Sequence, residues 1–174
     1  ERLRPQLIQL SHSIHDEPEI GFQEFKSSAK ICDFLEKQGF ETERGYCDLP
    51  TSFKAVKKGT GKGPVVAFLA EYDALRGVGH GCGHNLLGTG SVAAAIAVKE
   101  YLEKNGKEGT VIFFGCPGEE GGSGKSFMAR DGVFDNLDFA VTWHPGDKNV
   151  VSVGSSLANY QIIYRFYGQA SHAA

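Results

Sequence analysis

The chain has 174 residues, enough for one domain with a full core, and its apolar and charged fractions of 41% and 22% are those of an ordinary globular protein. A net charge of -3 offers no basic surface for nucleic acid, and no apolar run approaches the roughly 20 residues of a membrane span. Cys32, Cys47, Cys82 and Cys116 show neither a disulfide-framework spacing nor C-x-x-C, which suits a reduced, cytoplasmic chain.

Arg2 and Arg4 lead into an amphipathic segment rather than a signal peptide. Leu3, Leu7, Leu10 and Ile14 recur at helical spacing and predict a helix from Arg2 to Asp16, which Pro18 ends. After a turn over Glu17 to Gly21, a second helix is expected over Phe22 to Gln38, with Phe25, Ala29, Cys32 and Leu35 on one stripe and Gly39 as its stop. Phe53 to Lys57 reads as a short strand and Gly59 to Gly63 as a turn. Pro64 to Ala70 is a continuous apolar run, as expected for a strand buried on both faces. Asn85 to Glu103, rich in Ala, Leu and Val, predicts a long helix. Thr110 to Phe114 and Leu137 to Trp143 predict two more buried strands, with a helix starting over Gly124 to Arg130 between them. Val150 to Val153 reads as a shorter fourth strand, and the alternation over Asn159 to Tyr167 as a half-exposed one. Trp143, Phe113 and Phe114 read as core, and His12 as a surface residue.

Strands alternating with helices predict an α/β fold with a largely parallel sheet, in which function sits outside the carboxyl ends of the strands. The unusual polar residues fall at those ends. Glu71 and Asp73 follow the first buried strand, Glu119 and Glu120 the second, and His144 the third. Between Asp73 and the long helix lies Gly79-His80-Gly81-Cys82-Gly83-His84-Asn85, a thiol and two imidazoles separated only by glycines. The chain has 23 glycines, and their clustering around these motifs points to close backbone approach at a site.

Cys82, His84, Glu120 and His144 together supply sulfur, nitrogen and carboxylate oxygen, a donor set that suits zinc, or manganese where the thiolate is weakly engaged. A metal of this kind lowers the pKa of a bound water to about 7 and polarises a carbonyl. Adjacent carboxylates such as Glu119 and Glu120 diverge, so one can bind metal while the other acts as general base. Asp73 either orients a ligating imidazole or caps the following turn. His80 is open among ligand, substrate contact and loop residue.

Two rival readings use the same region. Gly124-Lys125-Ser126 after a strand and a Gly-rich loop resembles a phosphate-binding loop, but its first glycine position holds Glu119, followed by Glu120, and two carboxylates would repel a phosphate. A purely structural metal domain would favour several cysteines, whereas this set is mixed and contains glutamate.

His15-Asp16-Glu17-Pro18-Glu19, Glu71-Tyr72-Asp73-Ala74-Leu75, Gly79 to Asn85, Gly118-Glu119-Glu120-Gly121-Gly122 and Trp143-His144-Pro145 follow one another in this order. The set resembles the metallopeptidase family of aminoacylase and carboxypeptidase G, and within it the amidohydrolases of N-acyl and aminobenzoyl amino acids. The resemblance implies a zinc-exopeptidase-like three-layer α/β sandwich with a mostly parallel mixed sheet. It implies a two-metal site with Cys82, His84, Glu120 and His144 as ligands and Glu119 as general base. It also implies an inserted lid through which the protein forms a homodimer, with residues 1–156 in the catalytic domain and 157–174 opening the lid. His172 then matches a lid histidine that steadies the oxyanion. The family has a further ligating histidine near its C-terminus and most of its lid beyond this point, so the chain is expected to be truncated and inactive alone, with a small-molecule amide as the substrate of the parent enzyme.

Overall fold

The computed structural model describes residues 1–151, 154, 155, 157, 158, 160 and 162–172. Helices α1 (Arg4–His15) and α2 (Phe25–Lys37) lead into strand β1 (Glu41–Arg44), a 3-10 turn (Tyr46–Asp48) and strands β2 (Phe53–Lys58) and β3 (Thr60–Ala70). Then come α3 (His84–Lys104), β4 (Glu108–Gly115), the single turn α4 (Glu119–Gly122), α5 (Gly124–Arg130) and β5 (Phe139–Val141).

The strands form one mixed sheet in the order β1-β2-β4-β3-β5. Its β4-β3-β5 portion is parallel, while β1 and β2 add antiparallel pairs. Because side chains alternate along a strand, the apolar runs of β3 and β4 feed both faces. Phe68, Ala70, Val111 and Phe113 pack with Leu10, Ile14, Ile31, Leu35, Leu87 and Val92 of α1, α2 and α3. Ala67, Leu69, Ile112 and Phe114 pack on the other face with Cys116 and with Met128 of α5. The architecture is thus helix, sheet, helix, and β3 and β4 end side by side at Ala70 and Gly115.

Several expectations shift. The second helix starts at Phe25, which is exposed, because Phe22 has a left-handed φ of 61°. Its buried stripe is Ser28, Ile31, Cys32 and Leu35 rather than one through Phe25. The turn expected over Gly59 to Gly63 is confined to Gly59, whose N–H donates to Gly109 O at 2.8 Å, and β3 begins at Thr60. The strand expected over Leu137 to Trp143 is only three residues long, and its side chains are exposed. Trp143 is half exposed, lying against Gly90 on α3 and donating from Nε1 to Leu87 O at 3.1 Å. Val150 and Val151 lie outside any strand, as do Tyr160 and residues 162–167, while Ser152, Val153, Asn159 and Gln161 lie outside the described residues.

Among the described residues strand β5 is an edge, with Phe139 64% and Val141 46% exposed. An apolar open edge is a template for pairing with another chain. The 174-residue chain alone is expected to self-associate in sedimentation velocity, and Val141→Lys to reduce the associated fraction severalfold. A monodisperse monomer of the unaltered chain would contradict this.

Candidate metal centre

The site forms where β3 and β4 end. Glu71 and Asp73 emerge from β3, Glu119 and Glu120 sit in the turn after β4, and His84 opens α3. Gly83 turns the chain into α3 with φ +84°, and a Cβ there would come within 3.0 Å of Pro145 Cγ, so only glycine lets the Cys82 loop lie against His144-Pro145. Gly118, with φ +61°, does the same before Glu119, where a Cβ would meet the Phe22 ring at 2.9 Å.

His84 is fully buried. Its Nδ1 faces Asp73 Oδ1 at 2.9 Å and Asp73 O at 3.0 Å, which turns Nε2 toward the open end of the sheet. Around Nε2 stand Glu71 Oε2 at 3.0 Å, Glu119 Oε2 at 3.7 Å and Glu120 Oε1 at 3.9 Å. The other oxygen of Asp73, Oδ2, accepts the Glu120 backbone N–H at 2.8 Å, so one buried carboxylate grips both the imidazole and the acidic turn. From the third strand end, His144 uses Nδ1 on Pro145 O at 2.8 Å and presents Nε2 to Cys82 Sγ at 3.4 Å. The His84 and His144 rings meet edge to face, 5.6 Å between centroids.

Two groups of donors result. Cys82, His84 and His144 have ligand atoms within 4.8 Å of one another, and so do Glu71, His84 and Glu119. Among the described residues neither group includes Glu120 or His172, although Glu120 borders both; His172 is exposed. His80 is buried and stands outside both groups, with its ring 6.3 Å from that of His15. His12 is exposed, as expected.

The donor atoms fit a divalent cation. His84 Nε2 and Glu71 Oε2 are buried and, among the described residues, make no hydrogen bond, although they stand in ion-pair range at 3.0 Å. Buried polar atoms are nearly always satisfied, so a facing pair without a partner marks a place for a further species. Burial pulls the His84 imidazole toward neutrality, but Asp73 and Glu71 outweigh it and push its pKa up to about 10. Burial first, and then Glu120, Glu119 and Glu71, push the Cys82 thiol up to about 12. The local field is therefore strongly negative and favours a bound positive charge, in whose presence a coordinating thiol deprotonates.

Sequence reasoning names Glu19 only within a motif and Lys125 only within the phosphate-loop reading, and does not single out Glu24 at all. Glu19 closes the start of α2, accepting the Lys26 N–H at 3.0 Å and the Ser27 N–H at 2.8 Å. Glu24, fully buried, accepts the Gly118 N–H at 2.7 Å and the Thr51 hydroxyl at 2.8 Å, and so holds the loop that carries Glu119. Lys125 turns its ammonium onto Glu71.

Burial raises the Glu24 pKa above its ordinary value of 4.5. A carboxyl with a raised folded-state pKa contributes its stability in full below pH 4.5 and loses it as pH rises through the raised value. Glu24→Gln keeps an acceptor for Gly118 and offers a donor to Thr51. Its thermal midpoint is therefore expected to gain on that of the unaltered chain as pH rises above 4.5. Parallel midpoints across pH would show that the buried acid does not control this loop.

The chain is 48% identical to one of the subunits of p-aminobenzoyl-glutamate hydrolase from Escherichia coli K12, an alignment that covers 98% of this chain and 39% of that protein. It is 35% identical to the Xaa-Arg dipeptidase of Mus musculus, over 95% of this chain and 40% of that protein. The chain thus spans about two fifths of the length of these relatives. Its fold superposes with a TM-score of 0.71 and 27% identity on Bacillus subtilis YXEP, described as a dinuclear metal-binding peptidase of the M20 family, covering 80% of this chain and 42% of that one. The profile of peptidase family M20/M25/M40 matches residues 64–171, the stretch that supplies both donor groups. With that profile over more than half its length and the Escherichia coli relative aligned almost end to end, this chain belongs to peptidase family M20/M25/M40.

Proposed function

We propose that the chain is the N-terminal part of a metal-dependent amidohydrolase that cleaves N-acyl or aminobenzoyl amino acids or small dipeptides. The observation that carries this is the buried His84 Nε2, without a hydrogen bond among the described residues and flanked by Cys82 and His144 on one side and by carboxylates on the other. The relatives named for p-aminobenzoyl-glutamate hydrolysis and as a dipeptidase support the substrate class. Residues 1–156 then belong to the catalytic domain, and 157–174 open a lid that also forms the homodimer. No helix among the described residues is long and apolar enough to cross a membrane, and a thiolate ligand suits a reducing, cytoplasmic setting.

Cys82, His84, Glu120 and His144 would hold zinc, two ions in the intact site, with manganese as the other candidate. A divalent ion supplies an acidified water and polarises the amide carbonyl. Asp73 fixes the His84 tautomer and the backbone of Glu120. Glu119 takes the water's proton and returns it to the leaving amine. His172 steadies the developing oxyanion. A cavity of about 600 Å3 opens against Glu120, with Arg76 on its wall as a cation for the free carboxylate of the substrate. Its size is that of a small-molecule site.

The test is amine release from a panel of N-acyl amino acids, aminobenzoyl-glutamate and dipeptides by the full-length, metal-loaded protein. Turnover that a chelator abolishes and added metal restores is expected. Turnover untouched by the chelator, or none with any amide of the panel, would overturn the reading.

A further inference from the structure

Glu71 has no role in the reaction as described above. It lies at the carboxyl end of β3, 7% exposed. One of its oxygens, Oε1, is taken by the Lys125 ammonium. The other, Oε2, has no hydrogen-bond partner among the described residues and stands 3.0 Å from His84 Nε2, which has none either. The imidazole cannot turn away, because Asp73 grips Nδ1 from behind. Nor can the carboxylate, because Lys125 grips Oε1.

Leaving a buried polar atom without a hydrogen bond is costly, more so when it is charged, so two such atoms fixed face to face need an explanation. As opposite charges the two atoms pair across 3.0 Å, but among the described residues they are not aligned for a hydrogen bond, so each keeps a lone pair or proton directed elsewhere than at the other. Donors bound to one ion at about 2.0–2.2 Å each stand roughly 3 Å apart. We propose that Glu71 is a metal-ligating residue, its Oε2 a donor to the same ion as His84 Nε2, with Lys125 holding its other oxygen so that it binds through one atom. This rests on the metal-centre reading and adds a donor to it.

Cobalt(II) titration of the full-length protein tests this with optical readouts. A thiolate-to-cobalt charge-transfer band reports Cys82, and the d–d bands report the number and kind of donors. Glu71→Gln is expected to weaken cobalt binding at least about tenfold and to shift the d–d bands, while the thiolate band persists and shows that the site still folds. Glu71→Asp keeps the charge but withdraws the donor atom, and is expected to shift the d–d bands as well. Unchanged affinity and d–d bands in Glu71→Gln overturn the proposal. So does a Glu71→Asp variant indistinguishable from the unaltered protein, because charge alone would then suffice. Absence of the thiolate band from the unaltered protein overturns the metal-centre reading itself, an outcome separate from a silent Glu71.

Discussion

Glu119→Ala is expected to lower turnover of an N-acyl amino acid on the order of 10³-fold while the protein keeps its metal. Three carboxylates surround His84 Nε2, and their settings differ. Glu71 is locked by Lys125, and the backbone of Glu120 is tied to Asp73. Glu119 is the most exposed, at 42% for its side chain, and lies 3.7 Å from Nε2, within reach of the centre yet open to solvent and substrate. Burial, then Glu71 and Glu120, raise its pKa above the usual value. A raised pKa improves a carboxylate as a proton acceptor and still lets it give the proton back. Metal content by mass spectrometry beside steady-state kinetics separates the two roles. Turnover within tenfold of the unaltered enzyme would move the base elsewhere, and lost metal would make Glu119 a ligand.

The parts of this arrangement visible in the sequence are those with a local cause. Pro64 to Ala70 and Thr110 to Phe114 are apolar without interruption because β3 and β4 are covered on both faces. Polar residues directly after such runs fall at strand ends, which singles out Glu71, Asp73, Glu119 and Glu120, while Cys82 and His84 stand out by their glycine-spaced motif instead. Other parts depend on tertiary contacts. The strand Glu41–Arg44 has the sequence Glu-Thr-Glu-Arg with no apolar alternation, and it exists because it pairs with β2. Phe25 looked like core because its spacing fits a helical stripe, but Glu19 closes α2 at Lys26 and Ser27 and turns the serine face inward. Glu24 gives no signal of its burial, since its partners lie at Thr51 and Gly118. For Glu71 the position was legible and the part it takes was not. Which of three neighbouring carboxylates meets His84 depends on the backbone of the Gly118–Gly122 turn, where Glu120 and Gly121 leave helical geometry.

Asp73→Ala is expected to weaken divalent-metal binding 10–100-fold, a range of roughly the size found for partners that orient metal-binding histidines. Both carboxylate oxygens are engaged, and Asp73 is 1% exposed. Without Oδ1, the His84 ring keeps only the Asp73 backbone O as acceptor for Nδ1 and loses the carboxylate that fixes its orientation and leaves Nε2 free to bind. Without Oδ2, the Glu120 N–H loses its acceptor and the acidic turn its link to β3. The Glu120 N–H left without its acceptor costs about 1–3 kcal/mol, so the variant should also melt earlier. Asp73→Asn divides the two effects, because its amide offers one accepting oxygen where the carboxylate offers two. If that oxygen stays on the imidazole, metal affinity should recover toward that of the unaltered protein while the Glu119-Glu120 turn remains loose and turnover remains low. Calorimetric metal titrations with turnover measured on the same samples distinguish this from a general loss of structure. Full metal affinity in a folded Asp73→Ala protein would mean that the glycine-bounded loop positions His84 unaided, and that Asp73 serves only the turn.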